Sequence, residues 1–358
     1  MKKLKVLINT PDISKIGGVA NFYLSLNGKF ENEVKYNYIG GSSKKSNFIL
    51  SLISDYIRYI VVLIKFRPDI VHLNPSLDKK SVLRDAVYVI ITKLFFRKLL
   101  VFWHGWQDRT ESVITKKYSF IFRIIYNRAD AHCVLASDFK NALLNWGITK
   151  PVYLETTIFN EDILKGFKIE NKKISDPTVL FLSRIEEQKG IFIALETFET
   201  VVKEFPECKM LVAGTGEDLD RAKKYVEVNK VRNVEFLGFV TGEKKHEIIQ
   251  SSLINFFPTF YGEGMPISIL ESMACGSIII TRPVGGIKDF FENDKMGYIT
   301  ESKDPNDFAI LLKKLLKDMN KLKEISGYNY RYANERFKAS AVAKRIENIY
   351  SEIVNKKK

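Results

Sequence analysis

Short β-branched apolar runs alternate with longer segments of helical period from one end of the chain to the other, and that rhythm sets the folds open to it. In the first half the expected strands are residues 5–8, 35–39, 70–73, 100–103, 131–135 and 152–154. In the second they are residues 179–182, 210–213, 234–237, 254–257 and 278–281, with a shorter one at 298–300. Strands spaced by helices in this way pair in parallel, with helices covering both sheet faces. The expected class is therefore α/β. The rhythm runs twice and is broken by a polar stretch at 160–177, so two Rossmann-like domains are expected, residues 1–165 and 166–338. A final helix at 340–354 follows the last strand–helix unit. A length of 358 residues suits two cores better than one.

Composition removes several function classes. With 46% hydrophobic and 27% charged residues the chain reads as globular, not disordered. Cys133, Cys208 and Cys275 are odd in number and far apart, which fits buried free thiols better than a disulfide framework. His72, His104, His132 and His246 form no zinc motif and no network visible in the sequence, so no metal is expected. After Met-Lys-Lys the chain enters a strand directly, and no run approaches the ~18–20 apolar residues of a membrane span, so a cytoplasmic protein is expected.

The net charge of +14 is unevenly placed. Residues 1–170 hold 26 Lys/Arg against 15 Asp/Glu, whereas residues 171–358 hold 30 against 27. An anionic partner for the first half follows: a membrane surface, a nucleic acid or a phosphorylated substrate. The helix expected at 48–65 sharpens the question. Ser51, Ser54, Asp55 and Arg58 form one narrow polar stripe, and the rest is aliphatic or aromatic. Two readings stay open, burial among neighbouring helices or docking on an anionic bilayer, with Lys44, Lys45, Lys65 and Arg67 as the flanking cations. The helix end near 86–98, with Phe95, Phe96, Arg97 and Lys98, has the same character.

The strongest chemical signal is residues 257–276, FPTFYGEGMPISILESMACG. A strand ends at Pro258, a glycine-flanked turn carries Glu263, and a helix opens near Pro266, a favoured first-turn residue. Unpaired backbone N–H groups and the positive end of a helix dipole converge there, which makes an anion site. Glu271, eight residues beyond Glu263, lies inside the helix, and both carboxylates can accept hydrogen bonds from hydroxyls.

This segment resembles the E-x7-E signature of retaining glycosyltransferases of the GT-B fold, the large family 4 group. The likeness extends over nearly the whole chain. Gly17-Gly18-Val19 after the opening strand resembles the family's first glycine loop. The stretch from Phe181 through Arg184 to Lys189 and Gly190 resembles its basic diphosphate loop, and Gly214, Gly216, Gly285 and Gly286 sit at comparable turns. The resemblance implies two domains with parallel sheets facing across a cleft and a last helix, 339–358, crossing back to the first domain. It also implies roles. Arg184 and Lys189 would grip the donor diphosphate as it leaves. Glu263 would contact the transferred sugar and Glu271 the ribose. Gly264 and Met265 would offer amide hydrogens, and Gly285, Gly286 and Ile287 would line the sugar–phosphate region, with Asp289 where the family more often has Glu. Val240 or Phe239 would pack near the base, and His104 would lie near the donor sugar.

Two motifs carry less. Gly214-x-Gly216 lacks the third glycine of a dinucleotide fingerprint. Asp218-Leu-Asp220 matches a metal-binding D-x-D, but it falls at a helix start, where acids favour the dipole. The reading is thus a retaining, metal-independent transferase with no cofactor. It would move a hexose or N-acetylhexosamine from a UDP- or GDP-sugar to a glycan-precursor hydroxyl in bacterial polysaccharide synthesis. The expected partners are that donor, an acceptor with a polyprenyl-diphosphate-linked saccharide as the leading choice, an anionic membrane surface, and no nucleic acid. Its rivals are a sugar-nucleotide epimerase, which would need extra acids and a histidine network, and a non-catalytic nucleotide-sugar-binding subunit.

Overall fold

The computed structural model describes residues 3–15, 17–40, 48–262 and 264–356. Lys44, Lys45 and Glu263 lie outside the described residues. The chain divides into two units, one of residues 1–158, 262–265 and 339–358, the other of residues 159–261 and 266–338. The division falls at 158/159, so residues 159–165, expected in the first domain, pack with the second, and Phe159 pairs with Lys338 there.

The first unit opens with strands β1 (Lys5–Thr10), β2 (Glu33–Tyr38) and β3 (Ile70–Leu73), the short β4 (Ser76–Leu77), then β5 (Lys98–Trp103), the short β6 (Gly105–Trp106), β7 (Ala131–Val134) and β8 (Val152–Leu154). Six of them form one parallel sheet in the order β2-β1-β3-β5-β7-β8, and β4 and β6, which follow its neighbouring strands β3 and β5, pair as a separate two-stranded sheet. Every residue of β3 and β7 is buried, as helices on both faces require. Helices α1 (Gly18–Leu26), α2 (Phe48–Phe66), α3 (Lys79–Leu94), α4 (Asp108–Val113), α5 (Ser119–Tyr126) and α6 (Ser137–Asn145) connect the strands.

Helix α2 divides its polar stripe between inside and outside. Asp55 points inward, 6% exposed, accepting from the Gly40 amide at 3.0 Å and pairing with Arg58 at 2.7 Å. Beside Ser54 and Arg58 the exposed face carries Leu50, Ile53, Ile57, Val61 and Ile64. Of the two readings of this helix, an exposed apolar face is the one the structure shows. The helix expected to run to residue 98 stops at Leu94, because Lys98 already belongs to β5.

The second unit repeats the plan with β9 (Thr178–Leu182), β10 (Lys209–Ala213), β11 (Val234–Gly238), β12 (Ile254–Phe257), β13 (Ile278–Thr281) and β14 (Gly297–Ile299). Its sheet order is β11-β10-β9-β12-β13-β14, all parallel. The order reverses between β9 and β12, and ligands of such sheets bind where the loops leaving those two strands diverge. Helices α7 (Ile191–Val202), α8 (Leu219–Val228), α9 (Gly242–Ser251), α10 (Ile267–Ala274), α11 (Pro305–Leu316) and α12 (Met319–Arg336) cover the faces.

Helix α13 (Ala339–Asn355) belongs to the first unit, not to the second that precedes it in sequence. Its apolar face enters the first unit's core through Val342, Ala343, Ile346 and Tyr350. Arg345 forks onto the buried Glu155 carboxylate, with Nε at 3.0 Å from both oxygens. Removing Arg345 strands a carboxylate that is 5% exposed, while the guanidinium itself is partly solvated. Arg345→Ala is therefore expected to destabilise the protein by about 1–3 kcal/mol in urea titration, and Arg345→Lys by less, since Lys lacks the fork.

Candidate functional site

The basic loop leaves β9 at the switch point. Arg184 follows the strand, a single 3-10 turn spans Glu187–Lys189, and Gly190 closes it in the left-handed region at φ 85°. A Cβ at residue 190 would lie 2.4 Å from the Pro258 carbonyl oxygen, so only glycine lets the two loops approach this closely. The contact is sealed by the Phe260 amide and the Thr259 hydroxyl, which both donate to the Gln188 carbonyl, at 3.0 and 3.2 Å. Lys189 is buried, with Nζ 4.1 Å from the centre of the Tyr261 ring, and Arg184 sits over the same ring at 6.0 Å. Two cations thus share one aromatic ring, a cation–π arrangement in a partly desolvated place.

The loop after β10 braces this one. Gly214 has φ 147°, and a Cβ there would fall 1.8 Å from the Ser183 carbonyl oxygen; at Gly216 it would fall 2.3 Å from that of Ile185. The glycines read as a weak dinucleotide fingerprint are therefore spacers for the basic loop. Asp218 accepts the Glu187 amide at 2.7 Å and pairs with Arg221, which accounts for its place at the start of α8 without a metal. A cavity of about 680 Å³ opens over these loops, bordered by Arg184, Glu186, Gln188, Glu217, Phe260 and Tyr261 among others. Glu186 pairs with Arg184, so the guanidinium already points at an anionic group.

Glu271 lies in α10, 6% exposed. One carboxylate oxygen accepts from Lys245 Nζ of α9 at 2.7 Å, and the other is buried with no partner among the described residues. Glu271 does not border the cavity of the basic loop, nor do Val240, Gly285 and Gly286. Val240 is buried after β11 while its neighbour Phe239 is exposed, and Gly285 and Gly286 form a 3-10 turn with Ile287 and Asp289 after β13. All of these follow the C-terminal ends of strands.

In the first unit, Gly17 caps α1 with an extended backbone, and added side-chain atoms at Gly17 or Gly18 would meet no close neighbour. Gly264 and Met265 group with this unit, and a Cβ on Gly264 would lie 3.1 Å from the His104 carbonyl oxygen. Trp103 and Trp106 fill the core. His104 leaves the end of β5 stacked on Phe102 at 4.1 Å. Its tautomer follows from its partner. Asn74 Nδ2 donates to the Asn9 carbonyl at 2.8 Å, so Asn74 Oδ1 faces His104 Nε2 at 2.9 Å and must accept from it. Burial lowers the His104 pKa to about 3, keeping the ring neutral with Nδ1 as an acceptor.

The sequence showed no histidine network, and here the structure differs. Tyr23 donates to Asn74 Oδ1 at 2.6 Å and accepts from His72 Nε2 at 3.2 Å, while Tyr350 of α13 donates to His72 Nδ1 at 2.6 Å. No carboxylate takes part in those bonds. Asn74 and Tyr23 beside His104, Tyr261 beside Lys189 and Lys245 beside Glu271 are the neighbours that sequence reasoning missed. Only Tyr261 carried a signal, standing inside the segment that was singled out.

Residues 162–332, which contain the basic loop, its brace and Glu271, match the family model described as Glycosyl transferases group 1. Over that segment the chain is similar to the group 1 glycosyl transferases. An uncharacterized glycosyltransferase of Methanocaldococcus jannaschii, MJ1069, is 26% identical over 281 residues, 74% of this chain and 71% of that protein. A phosphatidyl-myo-inositol mannosyltransferase of Mycobacterium tuberculosis is 26% identical over 183 residues; these cover 49% of this chain and 47% of the relative, so less than half of that protein is spanned. Among solved structures, a glycosyltransferase from Rickettsia africae has a TM-score of 0.76 at 16% identity, with both chains fully covered. Alr3699/HepE of Anabaena, in complex with UDP-glucose, has a TM-score of 0.71 at 16% identity, covering 98% of this chain and 100% of that one. Such likeness shows the fold, which is GT-B.

Proposed function

We propose that the protein transfers a hexose or N-acetylhexosamine from a UDP- or GDP-sugar to a hydroxyl of a glycan precursor, with retention at the anomeric carbon. The observation that carries this is a buried lysine and a neighbouring arginine on the loop at the switch point of a Rossmann-order sheet, inside the segment that matches the family. Arg184 offers a planar fork to the diphosphate and Lys189 a point charge. The amides opening α10 add dipole. These donors meet the charge that grows on the leaving diphosphate, so no metal ion enters the scheme. Glu271, with one buried oxygen that has no donor among the described residues, takes a ribose hydroxyl. Glu263 and the Nδ1 of His104 take sugar hydroxyls, and the departing phosphate accepts the acceptor's proton. Glycan assembly at the cytoplasmic face is the setting, with a polyprenyl-diphosphate-linked acceptor.

Calorimetric titration with UDP- and GDP-sugars in the presence of a chelator tests the donor half. One of the two nucleotides should bind, and Glu271→Gln should weaken it by about 10-fold or more, the worth of one charged hydrogen bond. If neither nucleotide sugar binds, the reading fails. If binding is lost only when chelator is added, the metal-independent part fails.

A further inference from the structure

Phe96 is held where an aromatic residue has no folding reason to be. It follows α3 in the left-handed region, φ 55°, with the Arg97 amide reaching back to the Thr92 carbonyl, the closure that ordinarily recruits glycine. Its side chain is 91% exposed. Backbone strain combined with an exposed aromatic tip points to a role outside the fold.

The surroundings of Phe96 say which role. Helix α3 packs against α2 through Tyr56 and Tyr88, whose rings lie 4.9 Å apart, and against α5 through Tyr126, which donates to the Val82 carbonyl. The three helices therefore lie side by side on one sheet face. The outer face of α3 shows Leu83, Val87, Ile90 and Leu94 at helical spacing, and that of α5 shows Phe120, Ile121 and Ile124. With the exposed stripe of α2, fifteen of the 24 exposed large apolar side chains among the described residues fall between residues 50 and 124. Scattered exposed apolar residues are ordinary, but a contiguous face of this kind marks an interaction surface.

Charge selects the partner. Residues 48–128 hold fourteen Lys/Arg and six Asp/Glu, and two of those acids, Asp55 and Asp85, are buried in ion pairs with Arg58 and Arg84. Lys65, Lys116, Lys117 and Arg123 stand exposed beside the apolar stripes, and Arg123 lies 5.3 Å over the Phe120 ring. A second copy of this face would bring like charges together. No described helix is long and apolar enough to cross a membrane. We infer that the α2–α3–α5 face of the first unit docks in the plane of an anionic phospholipid surface, with Phe96 entering the headgroup layer and the lysines paired with lipid phosphates.

The test is co-sedimentation of the full chain with vesicles of phosphatidylglycerol in phosphatidylcholine, against phosphatidylcholine alone. Binding to the anionic vesicles at low salt, weakening as salt rises, is expected. Phe96→Gly should weaken it about 10-fold or more while the melting temperature holds or rises, because glycine relieves the left-handed strain. Lys116→Glu with Lys117→Glu should weaken it about 20-fold or more. Titration with UDP and with GDP, run in parallel, reports the donor loop separately, so either reading can fail alone. No binding to anionic vesicles at low salt overturns the inference. So does equal binding to neutral vesicles, or a dimer in gel filtration that Phe96→Gly dissociates, which would assign the face to a second copy.

Discussion

Lys189→Ala is expected to lower the rate of sugar transfer by about 10²–10³-fold while changing donor affinity much less. The asymmetry follows from where the lysine stands. It is 5% exposed, at the end of a 3-10 turn whose geometry Gly190 fixes, with its ammonium seated on the Tyr261 ring. A cation so placed needs little rearrangement when charge develops on the departing diphosphate, and low local dielectric strengthens what it does. Arg184 is more solvated, 60% exposed in its side chain, and already shares its guanidinium with Glu186. Arg184→Ala should accordingly act more on donor affinity and less on rate. The check is steady-state kinetics, with kcat and the donor KM determined separately for both variants. A Lys189→Ala enzyme with normal kcat and a lowered melting temperature would make this lysine a packing residue and remove it from the chemistry.

How far the sequence carried depends on the range of the interaction. Strand positions were legible because each depends on a local run; residues 254–257 and 278–281 coincide with β12 and β13. The basic loop was legible for the same reason, as Arg184, Lys189 and Gly190 lie within seven residues. The inward turn of Asp55 was not, because an apolar stripe on a helix does not say which way it faces, and the sheet's own needs decided it. Nor was the link from His72 to Tyr350, whose partners are 278 residues apart and meet only because α13 joins the first unit. The glycines at 214 and 216 were visible, but an incomplete dinucleotide fingerprint gave them no role. Their spacing resembled a phosphate loop, whereas the constraint on them is steric, imposed by the main chain of Ser183 and Ile185.

Mild acid is expected to unfold the first unit before the second. Three of the four histidines are neutral in the first unit, His72 and His132 buried and His104 half-buried, and desolvation depresses all three, His104 to about 3 and His132 to about 4. A histidine whose folded pKa lies below its unfolded value of about 6.5 contributes full stability above that pH. The contribution falls away as the pH drops below about 6.5, because the unfolded chain takes up protons that the folded chain refuses. By pH 5 the loss is about 2 kcal/mol for each of His104 and His132, and His72 adds to it in the same direction. Asp85 opposes this: burial lifts it to about 6 despite Arg84, so the folded state gains about 1.4 kcal/mol by pH 5. Even so, the net loss is about 3 kcal/mol before His72 is added, a large share of a typical domain's stability. The chain's three tryptophans, Trp103, Trp106 and Trp146, all sit in the first unit's core, so their fluorescence reports on that unit alone. Trp103 reports directly, since its indole N–H donates to His132 Nδ1 at 3.3 Å, the atom that protonation would occupy. The urea midpoint followed by tryptophan emission should therefore fall steeply between pH 7.5 and pH 5, while nucleotide binding, which the proposed function assigns to the second unit, survives to lower pH. An emission midpoint that stays constant across that range would mean these imidazoles are already protonated or solvated at neutral pH, and the buried, neutral network built on Asn74 would be wrong.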